Sequence, residues 1–174
     1  MSGLRAPRRP LTTLSIGLMA SVALVGSLDF SSPFRLLYNS SASAPRGWYW
    51  QHPTDRLMVN DFALAWLPEP ARALAHARGY LPRSTPLLKR VGATQGHWVC
   101  YRDGGMWINW RRVGLDRAVD GTGRPLVPWK DCRRLNEQEY FLLSVTNDAS
   151  FDSRYFGPVS LSDVLGEAIP LWVW

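Results

Sequence analysis

The chain has 174 residues, a formal net charge of +6, 46% hydrophobic content and two cysteines, enough length for one domain with a real core. Nine Trp and eighteen Arg invite a nucleic-acid reading, but removing Arg5, Arg8 and Arg9 leaves only +3 for the remainder, and no Lys/Arg block survives there. The composition therefore argues against a nucleic-acid partner.

The uncharged run Leu11–Leu28 follows those arginines and precedes Asp29. At roughly 1.5 Å per residue, eighteen residues just cross a bilayer core, and the positive-inside rule keeps the N-terminus in the cytoplasm. The expected organisation is a cytoplasmic segment 1–10, a transmembrane anchor 11–28 and an exported domain 29–174, periplasmic if the cell is bacterial. A cleaved signal peptide is the alternative, with Val25-Gly26-Ser27 as its site. Both readings export everything after residue 29.

Next comes Tyr38–Tyr49, reading YNSSASAPRGWY, where serines on a Pro/Gly turn lead into an aromatic strand. Such a turn either presents a serine hydroxyl to solvent or is a plain juxtamembrane linker. GWYWQH and LMVNDFALAWL (57–67) read as strands, and PEPARALAHARG reads as a helix of two to three turns with Pro70 near its start and Gly79 at its stop. PLLKRV is a further strand. HWVCYRDG and GMWINWRRV predict a hairpin turning at Asp103-Gly104-Gly105, and EQEYFLLSV predicts another strand. The segment 146–156 is polar and irregular, Ser162–Ala168 is short and amphipathic, and PLWVW is an apolar tail. Many short strands with Gly turns predict a mainly antiparallel β fold with a short helical insertion. Most of the Trp residues are expected to fill its core, with Trp172 and Trp174 left to meet a membrane.

In an exported domain Cys100 and Cys132 most simply form one disulfide. The rival is a metal site, for which His97 alone stands at a suitable spacing from Cys100. Serine is a poor nucleophile until a base takes its proton. Arg cannot act as that base, and Lys89 and Lys130 are the only lysines. A lysine qualifies when burial lowers its pKa from about 10.4 toward 7 or 8. Lys89, after Leu87 and Leu88 in a strand, fits better than Lys130 in a polar loop. A Ser-His-Asp arrangement would draw on His52 or His97 with Asp61 or Asp152, but no G-x-S-x-G turn supports it.

SAPRGWY, PLLKRV and above all SFDSRYFGPV (150–159) resemble the successive sequence boxes of the signal peptidase I family, membrane-anchored serine-lysine peptidases. The Asn39–Pro45 arrangement, ARGYLPRSTPLLKRV and the cysteines bracketing WINWRRVG resemble the conjugative-transfer branch of that family, the TraF type. The resemblance implies Ser43 as nucleophile and Lys89 as general base. It makes Ser41 an oxyanion donor beside the Ser43 N–H, Ser150 the hydroxyl orienting the lysine, and Asp152 with Arg154 a structural ion pair. It implies no metal and no cofactor. The substrate would be an exported precursor, such as a conjugative pilin, met at the inner membrane in contact with conjugation or secretion machinery, and cut or cyclised. An inactive scaffold of that machinery is the alternative. Departures from the family pattern fall at Asn60-Asp61, Gln95-Gly96-His97 and Ser144-Val145-Thr146, and bear on turns and supports.

Overall fold

The structure, a computed structural model, describes residues 36–174 apart from 116 and 145. The expected anchor 11–28 lies outside the described residues. Among the described residues the fold is two antiparallel sheets with little helix. The larger sheet contains β1 (Leu36–Asn39), β2 (Gly47–His52), β3 (Phe62–Ala65), β4 (Leu87–Ala93), β9 (Glu139–Leu143), β10 (Val159–Ser160) and β11 (Val164–Val173), in the spatial order β1-β2-β11-β3-β4-β9-β10. The smaller one contains β5 (Trp98–Arg102), β6 (Gly105–Ile108), β7 (Arg111–Leu115) and β8 (Cys132–Arg134), in the order β7-β6-β5-β8. A helix α1 (Glu69–Ala77) follows β3, and a single turn α2 (Ser153–Phe156) precedes β10.

Sequence patterning explains most of these elements. Alternation in GWYWQH buries Gly47, Tyr49 and Gln51 and exposes Trp48, Trp50 and His52. α1 carries Pro70 in its first turn and buries only Ala71 and Ala75. These small side chains let it lie close over a core of Leu57, Leu67, Leu87, Val91 and Leu142.

Four expectations need correction. Leu57–Asp61 is not strand, because Met58 N–H donates to Asp61 Oδ2 and Asn60 sits at φ 84°, a turn that the β-branched and aromatic neighbours had obscured. GMWINWRRV is two strands, since Asn109 and Trp110 both take positive φ and reverse the chain between Ile108 and Arg111. The C-terminal stretch is the ten-residue strand β11, which pairs with β2 on one side and β3 on the other. Its Gly and Pro residues hid it, and bulges at both places accommodate them. Finally, no Trp fills the core. Five of the nine (Trp48, Trp50, Trp110, Trp172 and Trp174) are exposed and the others half-buried, because strand alternation gives the buried positions to their neighbours.

Gly47 shows how closely β11 approaches the start of β2. A Cβ there would lie 2.1 Å from the Trp172 carbonyl oxygen, and the backbone φ of 140° is open only to glycine. Cys100 and Cys132 stand opposite one another in the β5–β8 ladder and form a disulfide closing a 32-residue separation. Replacing both by Ser is expected to lower the unfolding free energy by roughly 3 to 4 kcal/mol on chain-entropy grounds. Urea denaturation of the oxidised wild type and the double variant checks this, and equal midpoints would refute it.

Candidate active site

Lys89 is set in β4, opposite Ala63 of β3. The alternation of a strand puts Leu87, Lys89 and Val91 on one side, where Leu87, Val91, Ala63 and Leu142 form the main apolar cluster. The small Ala63 leaves room for the lysine stem, and the lysine is only 2% exposed. Burial among apolar groups disfavours its charge and lowers its pKa to about 8, against the attraction of Asp152 and with the help of Arg154. Its amine donates to Ser150 Oγ, which is also buried.

Ser43 stands on the turn between β1 and β2, half-buried, with Ala44 sunk into a second apolar cluster beside Leu88. Continuing the β4–β9 ladder one step past Arg90 and Leu143 brings Ser144 opposite Lys89. Ser144 Oγ donates to the Ser43 carbonyl at 2.9 Å, and Thr146 Oγ1 donates to the Ala42 carbonyl at 2.8 Å. The Ser43 turn is thereby tied to the end of β9, next to the lysine-bearing strand. The departures at Ser144 and Thr146 supply these ties; Val145 lies outside the described residues.

Ser43 Oγ has Ser41 Oγ as its hydrogen-bond partner, at 2.9 Å, rather than the Lys89 amine. Ser41 Oγ in turn donates to Asn39 Oδ1 at 2.8 Å. Ser40 is exposed. Sequence reasoning treated Asn39 only as part of a motif and missed its bonding; an Asx residue at a strand end before a turn was the available signal.

Asp152 and Arg154 pair across the single turn α2. Asp152 caps the single turn α2: its Oδ1 accepts from the Arg154 backbone N–H and, at 2.8 Å, from Arg154 Nε. Asp152 Oδ2 accepts from Arg154 Nη2 at 2.9 Å and from Ser144 N–H at 3.0 Å. Arg154 Nη2 also donates to the Ser150 carbonyl at 3.1 Å. The pair, 0% and 2% exposed, thus braces Ser150, the lysine's hydroxyl partner, and through Ser144 the Ser43 turn. His97 Nδ1 bonds the Thr94 carbonyl, and His52 and His76 are exposed. No histidine among the described residues bonds Ser43.

The sequence profile of the signal peptidases, peptidase S26, matches residues 11–174. The chain belongs to the signal peptidase family. It is 30% identical over 147 residues to a plasmid transfer protein TraF of Escherichia coli, covering 78% of this chain and 82% of that one. It is 31% identical over 179 residues to a conjugal transfer protein TraF of Agrobacterium tumefaciens, covering 96% and 97%. These similarities put it in the TraF-type branch of the family. Among solved structures, a signal peptidase I of Enterococcus faecalis is 22% identical, with a TM-score of 0.40, over 67% of this chain and 98% of that one. Within the signal peptidase family, the buried lysine bonded to a serine hydroxyl and the serine-bearing turn tied beside it are the groups with chemistry to offer.

Proposed function

We propose that the chain is a membrane-anchored serine endopeptidase that processes an exported precursor with Ser43 as nucleophile and Lys89 as general base. The observation that carries this reading is the buried Lys89, whose pKa of about 8 leaves a working fraction of neutral amine at ordinary pH. Neutral Lys89 takes the Ser43 proton as Ser43 Oγ attacks the scissile carbonyl carbon. The oxyanion is held by the Ser43 N–H and the Ser41 hydroxyl. As the intermediate collapses, the C–N bond breaks and Lys89 returns the proton to the leaving amine. Water then resolves the acyl-enzyme, or an amine of the substrate does so and closes a ring. The TraF names of the relatives make a conjugative pilin precursor the substrate we favour, with the conjugation apparatus as partner.

The membrane reading has its own support. On the outer face of β1, β2 and β11, the cross-strand register lines up Leu36, Trp50 and Ile169 in one row and Tyr38, Trp48 and Trp172 in the next, all exposed. Trp174 extends the patch. Aromatic residues of this kind favour a bilayer interface. Leu36 is only eight residues beyond Leu28. We therefore place the domain on the periplasmic surface of the inner membrane.

A non-cutting scaffold of the same apparatus is the second reading, and the Ser43–Ser41 hydrogen bond in place of a Ser43–Lys89 one favours it. The test is cleavage of a fluorogenic peptide bearing an Ala-x-Ala site by the full-length chain in detergent micelles. The peptidase reading expects Ser43→Ala and Lys89→Ala each to abolish turnover. It also expects wild-type kcat/KM to rise about tenfold per pH unit on the acid side and to level off above about pH 8. An inert wild type, or turnover that persists in either variant, overturns it.

A further inference from the structure

Asn39 is the most heavily bonded side chain of the nucleophile turn, and it is 8% exposed. Its Nδ2 donates to the carbonyls of Ser41 at 3.1 Å, Ala44 at 3.1 Å and Pro45 at 3.0 Å. Its Oδ1 accepts from the Ser41 N–H at 3.1 Å and from the Ser41 hydroxyl at 2.8 Å. The orientation of the amide is unambiguous. Flipped, it would set its oxygen against three carbonyls and its NH2 against an N–H.

That orientation settles where the hydroxyl protons go. Ser41 has one hydroxyl proton, and Asn39 Oδ1, which cannot donate, takes it. In the 2.9 Å contact between Ser41 and Ser43, Ser43 must then be the donor. The Ser43 proton is directed at Ser41, while Lys89 donates to Ser150. Two hydrogen bonds thus run from Ser43 through Ser41 to a strand-end amide, not to the lysine. When a substrate displaces the Ser43–Ser41 contact, the Ser43 proton turns to Lys89 as Ser43 Oγ attacks the carbonyl carbon, and the Ser41 hydroxyl turns from Asn39 Oδ1 to the oxyanion that forms in that step.

We propose that Asn39 is a positioning residue that fixes Ser41 beside Ser43, so that the Ser41 hydroxyl is placed to turn to the oxyanion as the Ser43 proton passes to Lys89. The inference rests on the peptidase reading above and deepens it. Asn39 acts through Ser41, so its contribution must disappear where the Ser41 hydroxyl is absent. A merely structural role would not depend on that hydroxyl.

The experiment is a double-variant cycle on the full-length chain in micelles with the same Ala-x-Ala peptide, with kcat and KM measured separately. Asn39→Ala is expected to lower kcat roughly 10²-fold, a loss of the size seen for oxyanion donors, with KM held within about threefold. In the Ser41→Ala background the same change is expected to lower kcat by no more than about threefold. If Asn39→Ala does not fold, Asn39→Asp carries the test. It keeps the shape and the acceptor but loses the amide donors, and its kcat is expected to fall at least about tenfold through Ser41 alone. Losses that multiply in the double variant, or a kcat within about twofold of wild type, overturn the inference. If they do so while Ser43→Ala and Lys89→Ala remain inert, the peptidase reading stands without it. A wild type inert on this peptide overturns both.

Discussion

Lys89→Met is expected to abolish turnover and yet make the protein harder to unfold. Removing a general base typically costs roughly 10² to 10⁴ in rate. The stability gain follows from where the charge sits. Below about pH 8 the native state must carry the ammonium of a side chain only 2% exposed, with Ser150 Oγ as its hydrogen-bond partner, whereas the unfolded chain carries it in water. Met has a similar length, fills the same space and needs no solvation. With the pKa lowered from 10.5 to about 8, the penalty removed is on the order of 3 kcal/mol at most, or several degrees in melting temperature for a domain of this size. The pH dependence gives the sign. Between about pH 8 and 10.5 the unfolded chain binds the Lys89 proton and the native protein does not, so this group makes wild-type stability rise with pH through that window. Lys89→Met should show no such rise. Thermal melts of both proteins at pH 7 and pH 9.5 check the expectation. A variant that melts below wild type at pH 7 would refute the view that function here is held at the expense of stability.

Asp152→Ala is expected to be among the most damaging single changes, lowering the unfolding free energy by roughly 3 to 5 kcal/mol. It takes away the carboxylate in contact with the buried Arg154 guanidinium, the cap of α2 and the acceptor of Ser144 N–H in one step. The penalty arises mainly from the arginine left behind, not from the intrinsic strength of the pair. Replacing both, as in Asp152→Leu with Arg154→Met, should therefore recover part of the loss. Activity should not recover with it, because Arg154 no longer holds the Ser150 carbonyl and Asp152 no longer holds Ser144. Urea denaturation alongside peptide turnover separates the two effects. A double variant less stable than Asp152→Ala would show that packing, not the buried guanidinium charge, dominates.

Residues whose meaning is local were legible in the chain. The YNSSASAPRG turn announced itself by Ser, Pro and Gly, β2 by alternation, α1 by Pro70 and Gly79, and Lys89 by the scarcity of any other lysine in a strand. The match of SFDSRYFGPV to a family box was also local. What it concealed was conformation: Asp152 and Arg154 meet because a one-turn helix bends the chain between them.

The sequence by itself determined that this is a mainly β chain of the signal peptidase family with a serine-rich turn and one strand lysine. Tertiary structure alone decided that β11 is a strand, that the tryptophans lie outward, and that Lys89 is buried beside Ser150. It alone decided that Ser144, Thr146 and Asn39 hold the Ser43 turn. The reason is physical. A turn or a helix cap is stabilised by residues a few positions apart, so its signal is written in one short window. A strand's partners, a lysine's desolvation and a hydroxyl's direction are sums over neighbours up to about a hundred residues away in the chain, which exist only after the sheet has closed.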